Sequence, residues 1–181
     1  MAPPSLSLEL ALLGFVRQQP NHGYAIHQAL TDPAGLGPVW QIKLSQLYAL
    51  LAKLEEAGYL TTSTELQDNK PPRKLFHLTP AGETAFLAWV QTPVSNGRSL
   101  RLDFLVKLYF ARLESKEIAT RLLASQRAQC HSWLAAEQEI AAEEVENSRV
   151  YGRLVHQFRA GQIQAMLTWL DQCEEELSGE N

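Results

Sequence analysis

The sequence predicts a mainly α-helical chain with one small β-hairpin, organised as an N-terminal unit over residues 1–95 and an all-α region over residues 98–178. Three observations carry this expectation. Leucine-rich stripes at helical spacing run through both parts. Two short segments, one rich in threonine, flank a polar, proline-containing turn near residue 70. TPVSNG, residues 92–97, interrupts the helical pattern where a boundary would fall.

Taken in order, Leu6, Leu10, Leu13 and Val16, with Leu12 and Phe15 beside them, keep the spacing of a helix that QQPNHG ends. YAIHQAL (24–30) predicts a short second helix with Ile26, Ala29 and Leu30 on one side, and TDPAGLGPVW (31–40) a loop. A third helix carries the stripe Leu47, Leu50, Leu51 and Leu54, and Gly58 stands where a left-handed C-terminal cap is wanted. YLTTSTEL (59–66) and RKLFHLT (73–79) predict two strands, with QDNKPP (67–72) as a turn longer than a two-residue hairpin loop. Thr79-Pro80 then restarts a helix, threonine as N-cap and proline at the first helical position. Beyond Gly97 three segments read as helix: LRLDFLVKLYFARL (100–113), a long one from Glu114 to Arg149, and a last one from Val150 to Leu177. Ile118, Leu122, Trp133 and Ile140 repeat along one side of the second of these. Leu154, Phe158, Ile163, Leu167, Leu170 and Leu177 do so along the third. Long helices with a single apolar stripe need partners, which predicts dimerisation through this region.

Composition narrows the function classes. With 45% hydrophobic and 20% charged residues over 181 positions, the chain is neither disordered nor fibrous. No apolar run approaches the roughly 18 residues of a membrane span. MAPPSLSLEL lacks a cationic stretch, so the cytoplasm is the expected compartment, and two cysteines fit a reducing one. No HExxH, Walker loop or Gly-x-Ser-x-Gly occurs, so no catalytic residue and no cofactor are expected. Cys130 and His131 are adjacent on a helix and point about 100° apart. With Cys173 and His156 elsewhere, they predict structural residues and no metal site.

The net charge of −4 conceals an uneven distribution. Residues 1–97 hold six cations and seven acids, yet residues 41–54 contain Lys43 and Lys53 with no acid, and residues 69–82 contain Lys70, Arg73 and Lys74 with no acid. Three helices, a hairpin and a further helix follow the order of a winged helix-turn-helix, in which the third helix enters the major groove and the hairpin reaches alongside onto the backbone. Set on its leucine stripe, that helix presents Gln46, Ala49 and Lys53 on the opposite side, with Ser45 at its start and Lys43 just ahead. Gln46 can bond an adenine edge in bidentate fashion, and Tyr48 flanks the same face. Pro71 and Pro72 stiffen the hairpin where its cations sit.

The segments ALLGFVRQQPNHGYAIHQAL, SQLYALLAKLEEAGYL and PPRKLFHLTPAGETAFLAWV resemble the PadR family of bacterial transcriptional regulators across residues 8–90. The resemblance rests on the Gly-Tyr opening the second helix, Leu-Tyr in the third, LEEAGYL at its end and a wing closing on Leu-Thr-x-x-Gly. RLDFLVKLYFA and MLTWL resemble the helical dimerisation region of the longer PadR-type regulators. It implies a homodimeric regulator, a repressor rather than an activator, that binds a roughly palindromic double-stranded DNA operator and responds to a small-molecule effector. By position it implies DNA contacts from Ser45, Gln46 and Tyr48 in the third helix and from Lys70, Arg73 and Lys74 in the wing, with His22 and Tyr24 as backbone contacts. Lys43 and Lys53 join this set from charge and spacing alone. Many members have Gly-Ser or Gly-Thr where this chain has Ser45-Gln46, a departure that bears on the operator sequence rather than the fold. Trp89, Tyr109 and Trp133 are the candidates for an effector pocket, although core packing is the simpler reading of each; Arg112, His131 and His156 are candidate polar members. The competing reading is a winged-helix module that binds an acidic protein surface and no DNA.

Overall fold

The computed structural model describes residues 8–67, 70–147 and 149–179, the side chains of residues 66, 67, 70 and 71 excepted. Leu6 and the side chain of Lys70 therefore lie outside the described residues. The elements run α1 (Ala11–Arg17), β1 (Asn21–His22), α2 (Gly23–Leu30), α3 (Leu44–Glu56), β2 (Leu60–Gln67), β3 (Lys70–Leu78), α4 (Pro80–Gln91), a 3₁₀ turn (Ser99–Arg101), α5 (Asp103–Glu114), α6 (Lys116–Glu146) and α7 (Val150–Gly179). This is the expected mainly α chain with a small hairpin: a winged helix-turn-helix followed by helices.

Local chemistry explains the boundaries. Gly58 adopts φ 76°, so the chain leaves α3 through the left-handed turn that only glycine adopts without strain. The Thr79 hydroxyl accepts from the Gly82 N–H at 3.0 Å, and Pro80 occupies the first helical position of α4. Caps of this kind are worth about 1 kcal/mol. Ser115 caps α6 by accepting from Ile118 N–H at 3.2 Å, with Glu117 in the same first turn.

Two features of the sheet depart from expectation. A two-residue strand, β1, pairs with β3 through Asn21↔Phe76 and His22↔Leu75, making the sheet order β1-β3-β2. The hairpin connection is also shorter than QDNKPP: β2 runs to Gln67, β3 begins at Lys70, and only residues 68–69 join them. Register explains how the prolines fit. Glu65 pairs with Arg73 and Gln67 with Lys70, so Pro71 and Pro72 together face the single residue 66 in a bulge. Neither proline has an N–H for the ladder, and β1 reaches only as far as Leu75, so β3 has no second neighbour there.

The core of the N-terminal unit joins Leu12, Leu13 and Val16 to Ile26, Leu30, Leu47, Leu51, Leu54, Phe76 and Phe86, all buried. Leu50 is only partly buried at its edge. The loop between α2 and α3 is anchored by buried Leu36 and Trp40. In the second half α6 and α7 run antiparallel: the start of α6 meets the end of α7 through Lys116 and Ser178, and its far end meets the start of α7 through Glu144 and Arg149. Their apolar stripes divide along this length. Leu122, Leu123, Ile163 and Leu170 are buried, whereas Ile140, Val145, Val150, Tyr151, Leu154 and Phe158 are exposed at the far end.

The halves meet at a close junction. A β-carbon on Gly14 would lie 2.4 Å from Phe110 Cε1, so α1 rests directly on α5. Arg17 pairs with Glu114 at 2.7 Å and Glu83 at 3.5 Å, tying α1 to α5 and α4. Gln126, fully buried on α6, accepts from Val94 N–H at 2.8 Å and holds the segment between α4 and α5.

Candidate nucleic-acid interface

Burial orients α3 as its leucine stripe demands. Leu47, Leu51 and Leu54 face the core, while Ser45, Gln46, Tyr48, Ala49, Ala52 and Lys53 are exposed on the opposite side, with Lys43 exposed just before the helix. His27 on α2 fixes the entry to α3, its Nε2 lying 3.0 Å from the Ile42 carbonyl. The ring of Tyr48 packs where a β-carbon on Gly23 would stand, 2.5 Å from Cε1, so α2 and α3 cross closely at this point. The ring is thereby held at the surface, 43% exposed, and Tyr24, 58% exposed, opens α2 beside it.

Gln46 is not free. Its Oε1 accepts from the Lys43 N–H at 3.0 Å, closing the first turn of α3, since the ammonium of Lys43 has no acceptor to serve as a cap. A bidentate bond to adenine therefore requires Gln46 to release this turn; its Nε2 alone remains available as it stands.

The wing shows a similar division of labour. Arg73 is exposed, and no ion pair forms with it, Lys43 or Lys53 among the described residues. Lys74 differs: its Nζ donates to Glu55 Oε2 at 2.7 Å, while the Thr62 hydroxyl donates to Glu55 Oε1 at 2.7 Å. The bond from Lys74, then that from Thr62, hold the Glu55 carboxyl below its usual pKa against a smaller opposing effect of burial. Lys74 also lies 5.5 Å above the ring of Phe76. His22 is engaged as well. Its Nδ1 faces the Lys74 carbonyl at 3.1 Å and its Nε2 faces Glu65 at 2.9 Å. His22 and Lys74, both expected at the DNA backbone, each face a carboxylate at the join between wing and helices. Glu55 and Glu65 are the participants that charge counting missed.

The three aromatic candidates for an effector pocket each line a cavity. Trp89 lines a cavity of about 540 Å³ with Leu10, Thr92, Asn96, Asp103 and Lys107. Tyr109 lines a separate one of about 340 Å³ with Arg112 and Leu177, and Trp133 a third of about 1080 Å³ with Arg98, Phe158 and Met166. They stand on α4, α5 and α6, and Ser95 and Asn96 line both the Trp89 cavity and the Trp133 cavity. The cavity at Trp89 has polar features of its own. Lys107, 4% exposed, donates to the Trp89 carbonyl at 2.5 Å and lies 4.6 Å over its ring, while the buried Trp89 Nε1 has no hydrogen-bond partner among the described residues. Burial lowers the Lys107 pKa to about 8, with Asp103 one turn away pulling it upward. Cys130 and Cys173 are free thiols, and no cluster of three metal-ligating side chains occurs among the described residues. No helix among them is long and apolar enough to cross a membrane.

Comparison with known proteins locates this arrangement. Residues 12–88 match the family described as transcriptional regulator PadR-like, and residues 100–178 match the family described as virulence activator alpha C-term. The chain is 30% identical over 119 residues to the negative transcriptional regulator PadR of Bacillus subtilis, a match covering 66% of this chain and 64% of that protein, so the chain spans less than two thirds of this relative. It is 22% identical over 192 residues to a probable transcriptional regulator of Mycobacterium tuberculosis, covering 95% of this chain and 98% of the relative. Among solved structures, Bacillus subtilis PadR in complex with operator DNA aligns over 97% of this chain and 99% of that one, with 25% identity and a TM-score of 0.49. The match to the transcriptional regulator PadR-like family is thus carried by residues 12–88, the part of the chain that runs from α1 into α4.

Proposed function

We propose that this protein is a homodimeric, DNA-binding transcriptional repressor of the cytoplasm, without enzymatic activity, whose residues 1–95 engage the operator and whose residues 98–178 pair two copies. The observation that carries the reading is the exposed face of α3 beside a wing whose Arg73 has no carboxylate partner among the described residues. The slim residues Ser45, Ala49 and Ala52 let that face approach a groove, and Lys43, Lys53 and Arg73 supply cations around it. Ser45, Gln46 and Tyr48 are the base-reading and groove-lining residues; Lys43, Lys53, Lys70, Arg73 and Tyr24 contact the backbone. Repression is favoured because the Bacillus subtilis relative is named a negative regulator.

Dimerisation is supported by the unpartnered apolar end of α6 and α7. Phe158 is 66% exposed and Tyr151 80% exposed, and such a patch is covered most economically by its own copy in a symmetric interface. Two copies present two α3 helices, so the operator is roughly palindromic with half-sites about one turn, ~10 bp, apart. A small-molecule effector would enter the cavity beside Trp89, where the unpaired indole N–H and the Lys107 ammonium offer donors at the join of α4 and α5. An electrophoretic mobility shift with the DNA upstream of the protein's own gene tests the reading. Retardation at physiological salt supports it. Absence of retardation at every salt concentration favours the alternative, a module that binds an acidic protein surface.

A further inference from the structure

Of the cations gathered in the wing, Lys74 alone is shown bound to a carboxylate on α3. Glu55, in the last turn of that helix, uses both oxygens: Oε1 takes the Thr62 hydroxyl and Oε2 takes Lys74 Nζ, each at 2.7 Å. Thr62 lies on β2 and Lys74 on β3, so one carboxylate joins the recognition helix to both strands of the wing. Resting on the reading above, we propose that Glu55 is a positioning residue that withholds Lys74 from the DNA backbone and sets the angle between wing and recognition helix.

Electrostatics near a polyanion decides which partner Lys74 keeps. Were Lys74 to leave for a phosphate, Glu55 would remain as an unneutralised carboxylate beside the duplex, half-buried and still held by Thr62. The exchange trades one anion partner for another and adds a repulsion between Glu55 and the phosphates. Phe76 beneath the ammonium further favours the present position. Arg73, its neighbour, projects from the opposite face of β3, because adjacent strand residues alternate. The wing thus has one cation for DNA at this level and one for its own architecture, and sequence charge alone cannot tell them apart.

Counterion release separates a phosphate contact from a positioning cation, because each phosphate neutralised steepens the fall of log K with log salt by about 0.9. The experiment measures that slope by fluorescence anisotropy on an operator duplex and on a random one, for the intact protein and for Lys74→Met, Glu55→Gln, the double variant and Arg73→Met. Thermal melts confirm that each variant is folded. The proposal expects Lys74→Met to keep the parental slope while weakening operator binding several-fold. It expects Glu55→Gln to free Lys74, steepening the slope by about 0.9 and tightening binding to the random duplex. The double variant returns to the parental slope. Arg73→Met flattens it, which shows that the assay registers a lost contact. A Lys74→Met slope flatter by about 0.9 would overturn the proposal, as would a double variant as steep as Glu55→Gln. If the intact protein binds neither duplex at any salt, the DNA-binding reading itself has failed, and this proposal falls with it.

Discussion

The ring of Phe110 occupies the space that a side chain on Gly14 would need: a β-carbon there would sit 2.4 Å from Cε1 and 2.6 Å from Cδ1. Phe110 is also edge-on to Phe15 at 5.1 Å, Phe86 at 5.7 Å and Tyr109 at 5.2 Å, so α1, α4 and α5 converge on one aromatic ring. The helix that begins the N-terminal unit is thereby keyed into the first helix of the C-terminal half.

Gly14→Ala should destabilise the protein by about 1–3 kcal/mol, because α1 must shift or Phe110 must leave its rotamer. Chemical denaturation reads this as a lower midpoint with an unchanged slope. A neutral substitution would show that α1 and α5 are not held in this contact.

Lys107 gives a pH signature. Its pKa is about 8 in the fold against an ordinary value of 10.5, so below pH 8 it is charged in both states and the folded state bears the cost of burying that charge. Between pH 8 and 10.5 the folded protein has released the proton while the unfolded chain retains it, so stability rises with pH across that window. The gain is on the order of 3 kcal/mol at about 1.4 kcal/mol per pKa unit. Comparing the protein with Lys107→Met from pH 7 to 10 cancels other titrations. The difference in unfolding free energy should shift in favour of the parent as pH rises, and parallel curves would refute the assignment.

Gln46→Ala removes both an exposed side chain of α3 and the bond to Lys43 N–H. Operator discrimination should relax at one base position, by ~1–3 kcal/mol if the contact is bidentate. Thermal stability should also fall by about 1 kcal/mol from the lost cap. A competition assay over single-base operator variants measures the first, and an unchanged preference at every position would remove Gln46 from base reading.

Phe158→Asp places a charge in the exposed apolar end of α6 and α7. Sedimentation should show the equilibrium moving toward monomer, with melting becoming concentration-dependent over a higher range. A variant as dimeric as the parent would place the contact between copies elsewhere.

How far the sequence revealed these features depends on the range of the interactions behind them. Helices set by periodicity and local caps, such as α3 with Gly58 and α4 with Thr79-Pro80, were legible because their signals lie within one turn. β1 was not: two residues carry no periodicity, and Asn21 and His22 become a strand only because Leu75 and Phe76 lie alongside. The hairpin turn was overestimated because the paired prolines suggest a break, whereas a bulge accommodates them in the strand. At the interface, the exposed face of α3 followed from its leucine spacing. The engagement of Lys74 and His22 did not, since their partners are 19 and 43 residues away in sequence. The acid-free window that marked α3 as basic ends at Leu54, and Glu55 is the next residue. The three aromatic pocket candidates shared only composition, and in the fold Trp89, Tyr109 and Trp133 each line a different cavity.

The most direct test of the account is the stoichiometry of the complex with DNA, measured by analytical ultracentrifugation on a duplex from upstream of the gene over a series of salt concentrations. Two chains should sediment with each duplex, and the complex should dissociate steeply as salt rises. A single chain per duplex, or binding indifferent to salt, would contradict the picture of two copies holding paired basic surfaces against one double helix.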